Sequence, residues 1–263
     1  MRVENRMKRT PITAIPIALD RELELLVRGA KIYDSSSSPE ARVYFIEKDR
    51  GYYLKVAAAG TLEREAEMAT YFRSLSLGAE VLHFATHNGH DLFLTARLAG
   101  EDCTHEDFLA QPKWLSDTIA TELRKLHEIN PASCPIKDRT AEYIKTVEKN
   151  YSLGKFDPEF GFADMEKAYS IFKNGKDSLK CDTLLHGDYC LPNIMLKNRK
   201  LSGFIDLGSG GIGDRHIDLF WGAWTLNFNL KTDKYRERFF DAYGRDLVDP
   251  ELIKVIAAAE GFG

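Results

Sequence analysis

The run HGDYCLPNIML, residues 186–196, followed shortly by LSGFIDLG, narrows what this chain can be more than any other feature. It contains the spacing H-x-D-x-x-x-x-N as His186, Asp188 and Asn193, and a further carboxylate, Asp206, closes the second apolar stretch. Transfer of a phosphoryl group asks a protein mainly for positioning and charge neutralisation. A carboxylate must orient the attacking hydroxyl and take its proton, and a divalent cation on the phosphates needs hard oxygen ligands. Asp188 fits the base, Asn193 an amide-oxygen ligand and Asp206 the charged ligand, while His186 is read as holding the loop. NIMLK and LSGFID, separated by Asn198-Arg199-Lys200, read as hairpin partners, which would bring Asn193 and Asp206 together. Asp206 is read as ending a strand, where the following Leu207-Gly208 lets it face a cleft.

The same chemistry needs a cation for the nucleotide phosphates. Lys55 ends an alternating strand, GYYLKV, and an interior lysine is costly unless paired. Glu65, in LEREAE, offers the partner. With Ala69 and Phe72 at i+4 and i+7 it takes the inward face of a helix over 62–76, ahead of its competitor Glu63.

Residues 43–47 and 51–58 are rich in β-formers, and VLHFAT and DLFLTARL flank Asn88-Gly89, a hairpin turn. After Leu98-Ala99-Gly100 helical patterns dominate: 113–129, 138–150, about 162–174, 215–228, 231–243 and 250–260. The fold class is α+β and two-lobed: a β-rich nucleotide-binding lobe over 1–98, with a five-stranded sheet and a helix, then a helical lobe over 99–263 with the catalytic loop and acceptor site. A formal net charge of -4 argues against nucleic acid or an anionic membrane as partner. Pro11 and Pro16 break the N-terminal apolar stretch, so neither a signal peptide nor a membrane span is expected. Cys103, Cys134, Cys181 and Cys190 form no CxxC pair, which suits a reducing cytoplasm. His83, His87 and His90 flank a turn that scatters their directions, so no metal site is assigned to them, and His127, Trp221 and Trp224 are read as packing residues.

Together LKV, LEREAE, HGDYCLPN and GFIDLGSGGIGDRHIDL resemble the aminoglycoside phosphotransferase family, most closely the 3'-phosphotransferases, along most of the chain. The resemblance implies a protein-kinase-like fold, ATP (or GTP) with Mg2+ as cofactors, and a small cationic acceptor. It implies that Asp188 is the catalytic base, that Asn193 and Asp206 bind magnesium, and that Lys55, held by Glu65, grips the phosphates. Tyr53 matches the aromatic that stacks on adenine, and Ala96 and Leu98 match the segment whose backbone bonds adenine. Ser37 and Ser38 match the phosphate loop, and Ile205 is counted with the nucleotide-binding residues.

A polycationic acceptor calls for carboxylates. Asp157 and Glu159, in KFDPEFGFADME, and Glu260, with Phe262 beside it near the last residue, are the acceptor-side candidates, and Arg215 in GDRHID matches a family arginine. Asp218 is read as anchoring loop structure. The chain departs from the family pattern at Ser209, where arginine is usual, and at Ala259, where a second acid is usual. A kinase of the same fold acting on another amino alcohol or sugar is the alternative, and a non-catalytic nucleotide-binding module the second. The chain lacks the APE-like segment of a protein kinase. A monomer or weak dimer is expected.

Overall fold

The computed structural model describes residues 9–36 and 41–263, so Ser37 and Ser38 lie outside the described residues. The chain divides into two compact units. One runs to His105 and includes Met195–Gly208, and the other comprises Glu106–Ile194 and Ser209–Gly263. The hairpin read from NIMLK and LSGFID thus belongs almost entirely with the β-rich part of the chain.

In the first unit, among the described residues, Thr10–Ile12 (β1), Lys31–Asp34 (β2), Arg42–Glu47 (β3), Tyr52–Ala58 (β4), Val81–His87 (β5) and His90–Ala96 (β6) form an antiparallel sheet in the order β1-β2-β3-β4-β6-β5. This is one strand more than the five expected. Strands of three and four residues such as β1 and β2 are too short to display an alternation, and they are recognisable only through their pairing. The β5–β6 turn is Asn88-Gly89 with φ of 48° and 79°, the left-handed pair that a tight hairpin requires.

Register decides which face of the sheet does what. Leu54 lies opposite Tyr44 and Leu94, and these join Leu23, Ile32, Ile46, Val56 and Leu92 in one apolar core. Leu23 comes from a short helix, Arg21–Val27 (α1), that the sequence reading left out; Asp20 caps it, accepting from the Glu22 and Leu23 amides at 3.0 Å each. Tyr53 and Lys55 alternate to the opposite face, where Lys55 lies between Val43 and Phe93. The helix Glu63–Ser74 (α2) follows β4, and the buried Asp91 of β6 fixes its entry by accepting from the Leu62 amide at 2.9 Å. Glu101–Asp102, Ile194–Lys197 and Lys200–Phe204 make a small second sheet.

The second unit is helical: Glu106–Leu109 (α3), Pro112–His127 (α4), Arg139–Ser152 (α5), Met165–Gly175 (α6), His216–Leu230 (α7), Arg236–Tyr243 (α8) and Pro250–Glu260 (α9). Its core gathers Val147, Phe172, Leu185, Ile217, Ile256 and Phe262. α8 begins five residues later than the expected 231, because Lys231 turns left-handed at φ 55° and ends α7. α6 begins at Met165 where the Asp164 carboxylate caps it, accepting from the Lys167 amide at 2.9 Å. No helix among the described residues is long and apolar enough to cross a membrane.

Candidate active site

Two polar clusters carry the sequence-derived candidates, one in each unit. In the first, Lys55 Nζ donates to Glu65 Oε2 at 2.8 Å and Oε1 at 3.0 Å, and to Asp206 Oδ1 at 3.1 Å. Burial alone would lower the lysine's pKa, but the charges of Asp206 and Glu65 outweigh it and hold it above the ordinary value. The ammonium is therefore fixed and permanently charged. Asp206 lies two residues beyond the end of its strand at Phe204, a correction to the reading that it ends one. It sits at φ 57°, a conformation non-glycine residues seldom adopt, and its side chain is 53 % exposed against 11 % for Glu65. A strained, solvent-facing carboxylate beside a buried ion pair is one whose position serves something other than packing.

Tyr53 is half-buried on the Lys55 face, its ring 5.1 Å from that of Phe45. Its hydroxyl accepts from Arg9 at 2.7 Å, and the Arg9 guanidinium lies 3.6 Å over the Phe45 ring, a contact the sequence did not suggest. Ala96 closes β6 and is buried, its N–H donating to Glu80 at 2.9 Å. Leu98 and Ile205 are half-buried in the same unit.

In the second unit, His186–Asn193 forms a tight polar loop. Asn193 Nδ2 donates to the Asp188 carboxylate at 2.8 Å and to the Asp188 carbonyl at 3.0 Å, which leaves the amide oxygen as the atom available to a cation. His186 is buried and its Nδ1 accepts from the Asp188 amide at 3.2 Å, the loop-holding part read for it. Gly187 is required where it stands: at φ 84° a Cβ would lie 1.9 Å from the Ser209 carbonyl oxygen.

What the sequence showed only in outline is how this loop is suspended. Asp218, fully buried on the first turn of α7, accepts the His186 amide at 2.7 Å and the Gly187 amide at 2.8 Å. His127, at the end of α4, donates from Nε2 to the same carboxylate at 3.2 Å and accepts at Nδ1 from the Tyr243 hydroxyl at 2.8 Å. Burial lowers the pKa of His127 despite Asp218, so the imidazole is neutral, while burial pushes the Tyr243 phenol up to about 12 and keeps it a donor. His127 thus does more than pack. A histidine at the end of an amphipathic helix gives no sign of its tertiary partner in sequence.

The acceptor-side candidates fare unequally. Asp157 and Glu159 are exposed around a 3-10 turn, Pro158–Phe160, where Asp157 accepts from the Glu159 amide at 2.9 Å. Glu260 is buried and accepts from the Tyr143 hydroxyl at 2.8 Å. Burial, together with the nearby charge of Asp188, raises its carboxyl to about 7, against the pull of Tyr143, Arg139 and the Trp221 indole. Phe262 is 1 % exposed and packs among Tyr151, Phe156 and Tyr169, because an aromatic ring beside an apolar helix end gains more from the core than from water. Arg215 is half-buried and donates to Thr183 Oγ1 at 3.3 Å. The two departures from the family pattern both fall at packed positions. Ala259 is fully buried in the core, where a second carboxylate would be costly. At Ser209 the backbone carbonyl accepts from Arg139 Nε at 2.9 Å.

The model of the phosphotransferase enzyme family matches residues 36–253. A probable aminoglycoside 3'-phosphotransferase of Lactococcus lactis subsp. lactis (strain IL1403) is 51% identical over 97% of both chains. An aminoglycoside 3'-phosphotransferase of Niallia circulans is 28% identical over 91% of this chain and 95% of its own. Among solved structures, an aminoglycoside-3'-phosphotransferase of type VIII superposes with a TM-score of 0.76 at 21% identity, covering 92% of this chain and 97% of that one. A phosphotransferase of Streptomyces rimosus ATCC10970 in complex with ADP and streptomycin gives 0.67 at 20% identity, covering 93% and 99%. With the family match spanning most of its length, this chain belongs to the phosphotransferase enzyme family and has its protein-kinase-like fold.

Proposed function

We propose that this protein is an aminoglycoside 3'-phosphotransferase that moves the γ-phosphoryl of ATP, with Mg2+, onto a hydroxyl of a cationic acceptor in the cytoplasm and so confers antibiotic resistance. The observation that carries the reading is the loop in which Asp188 and Asn193 are bonded side by side, in a chain half identical to the Lactococcus lactis protein along its whole length. In this reading Asp188 accepts the proton of the acceptor hydroxyl and aligns it for attack. Lys55, fixed by Glu65, meets the nucleotide phosphates, and Tyr53, Ala96, Leu98 and Ile205 contact the base, with Ser37 and Ser38 contributing to the phosphate loop. The donor set suits magnesium: Asp206 supplies a solvent-facing carboxylate and Asn193 an amide oxygen whose nitrogen is already engaged, both hard ligands. The bound ion would neutralise phosphate charge. Asp157, Glu159, Glu260 and Arg215 would set acceptor binding.

The test is a coupled nucleotide-turnover assay with paired aminoglycosides that differ only in the 3'-hydroxyl, alongside choline-like alcohols and neutral sugars. Turnover should require the 3'-hydroxyl and magnesium. Turnover of the 3'-deoxy partner at the same rate would move the acceptor hydroxyl elsewhere, and turnover of the simple alcohols alone would replace the aminoglycoside reading.

A further inference from the structure

α7 is apolar almost all round, which a helix in water supports only if more than one of its faces is covered. One face is covered by the core through Leu219, Ala223 and Leu226. A second row runs at helical spacing from the buried Ile217 through Trp221, Trp224 and Phe228, and these three rings remain half-buried. They are ordered against one another: Trp221 meets Trp224 edge-on at 5.3 Å, and Trp224 stacks on Phe228 at 5.0 Å and 15°. Phe160 leans on the row, 5.7 Å from Trp221 and 6.0 Å from Trp224. Trp221 and Trp224 pack on the apolar core of this unit with part of each ring and stay partly accessible with the rest, the form of an aromatic face that a ligand can share.

Its two ends say what. At one end the Trp221 indole adjoins Glu260, and the charge of Asp188 reaches the same carboxyl, so the row starts beside the proposed base. The turn that carries Phe160 also carries the exposed Asp157 and Glu159, and the Asp157 amide donates to the Gly261 carbonyl at 2.7 Å, tying those carboxylates to the end of α9. At the far end Lys231 places its ammonium 4.2 Å over the Phe228 ring. An amino sugar has the complementary form: an apolar C–H face to lie on an aromatic ring, and ammonium groups at its rim to meet carboxylates. Cation–ring attraction favours the same arrangement.

We propose that Trp221, Trp224 and Phe228 form a stacking platform for a ring of the acceptor sugar, flanked by Asp157 and Glu159 and closed at Lys231 by like-charge repulsion. The proposal rests on the reading of the chain as a kinase for an amino sugar. It assigns a specificity role to Trp221 and Trp224, whose sequence spacing reads as packing, and to Phe228 beside them. The acceptor's amines then lie toward Glu260, and a ring extended past Phe228 has to present a neutral edge to Lys231.

Trp224→Ala should raise the acceptor KM about 10-fold while the nucleotide KM holds, and Trp224→Phe should recover most of the loss. A 3'-deoxy aminoglycoside, bound but not phosphorylated, should quench tryptophan fluorescence in the wild type and much less in Trp224→Ala. Melting temperatures monitor folding, and Phe228→Ala, farther from the core, gives the same readout if Trp224→Ala fails to fold. Aminoglycoside turnover by the wild type, with unchanged acceptor KM in the folded Trp224→Ala or Phe228→Ala variant, overturns the platform and leaves the kinase reading standing. If the wild type phosphorylates no aminoglycoside, the kinase reading falls and takes the platform with it.

Discussion

At the scale of single residues, the proposed chemistry concentrates in a few side chains whose geometry is hard to explain by packing. Asp188 is bonded to Asn193 and half-exposed. Asp188→Ala should therefore fold, bind nucleotide and lose about 100- to 10,000-fold in turnover, the usual share of a general base. Nucleotide titration and kcat measured on one preparation separate the two effects, and near-full activity would remove Asp188 from the chemistry. Asp206→Ala makes a different prediction. The variant loses the proposed charged metal ligand and one of two carboxylates on Lys55, so turnover should fall and nucleotide binding should stop responding to magnesium. An unchanged magnesium effect on nucleotide affinity would refute the assignment. Both residues were singled out in the sequence because phosphoryl transfer calls for carboxylates of this type and spacing. The φ of Asp206 was not, since strain comes from the chain on both sides of it.

At the scale of elements, the loop that carries the proposed base hangs from α7. Asp218 accepts two backbone N–H groups of the loop and the His127 imidazole, and no water reaches it. In Asp218→Asn one of those donors would face an amide NH2. Breaking a buried charged network of this kind costs about 3–5 kcal/mol. The expected outcome is a marked fall in melting temperature and in kcat, with nucleotide affinity nearly kept because the cluster proposed to meet the nucleotide lies in the other unit. His127→Gln, which keeps a donor for Asp218, should retain more kcat than His127→Leu. Equal kcat in the two would show that His127 only packs. The sequence pointed to a loop-anchoring part for Asp218, but His127 and Tyr243 stand far from it along the chain, and only folding makes them one network.

At the scale of the whole molecule, pH should act through Glu260. Its carboxyl is raised from an ordinary 4.5 to about 7, chiefly by burial. Between those values the folded protein keeps a proton that the unfolded chain has released, so stability falls as pH rises through that window, and the cost is complete above 7. The unfolding free energy of Glu260→Gln relative to wild type should improve by about 3 kcal/mol from pH 4.5 to 8. Denaturant titrations at several pH values measure this, and parallel curves for the two proteins would show that Glu260 does not titrate there. The groups facing it are Asp188, Arg139, Tyr143 and Trp221, and the first of these makes ionisation harder. A cationic acceptor should reverse the sign by favouring the charged form, so added aminoglycoside should stabilise the wild type more than Glu260→Gln at pH 8.

By itself the sequence determined the chemistry and the alternation of elements. The strand over β4, the helix over α2, the Asn88-Gly89 hairpin and the helices α4, α5, α7 and α9 follow from local periodicity and turn residues, which are properties of neighbours along the chain. The spacing of Asp188, Asn193 and Asp206 is the one that the proposed reaction calls for. Tertiary structure decided the rest. It paired β1 and β2, too short to be seen alone, with the sheet. It drew Phe262 into the core and Ala259 with it, and it turned an acceptor-side candidate, Glu260, into a buried acid. It also left the rings of α7 half in water, while burying the residues around them. Burial is a property of what arrives from distant parts of the chain, and desolvation, which sets both the pKa of Glu260 and the fate of Phe262, cannot be read from any local window.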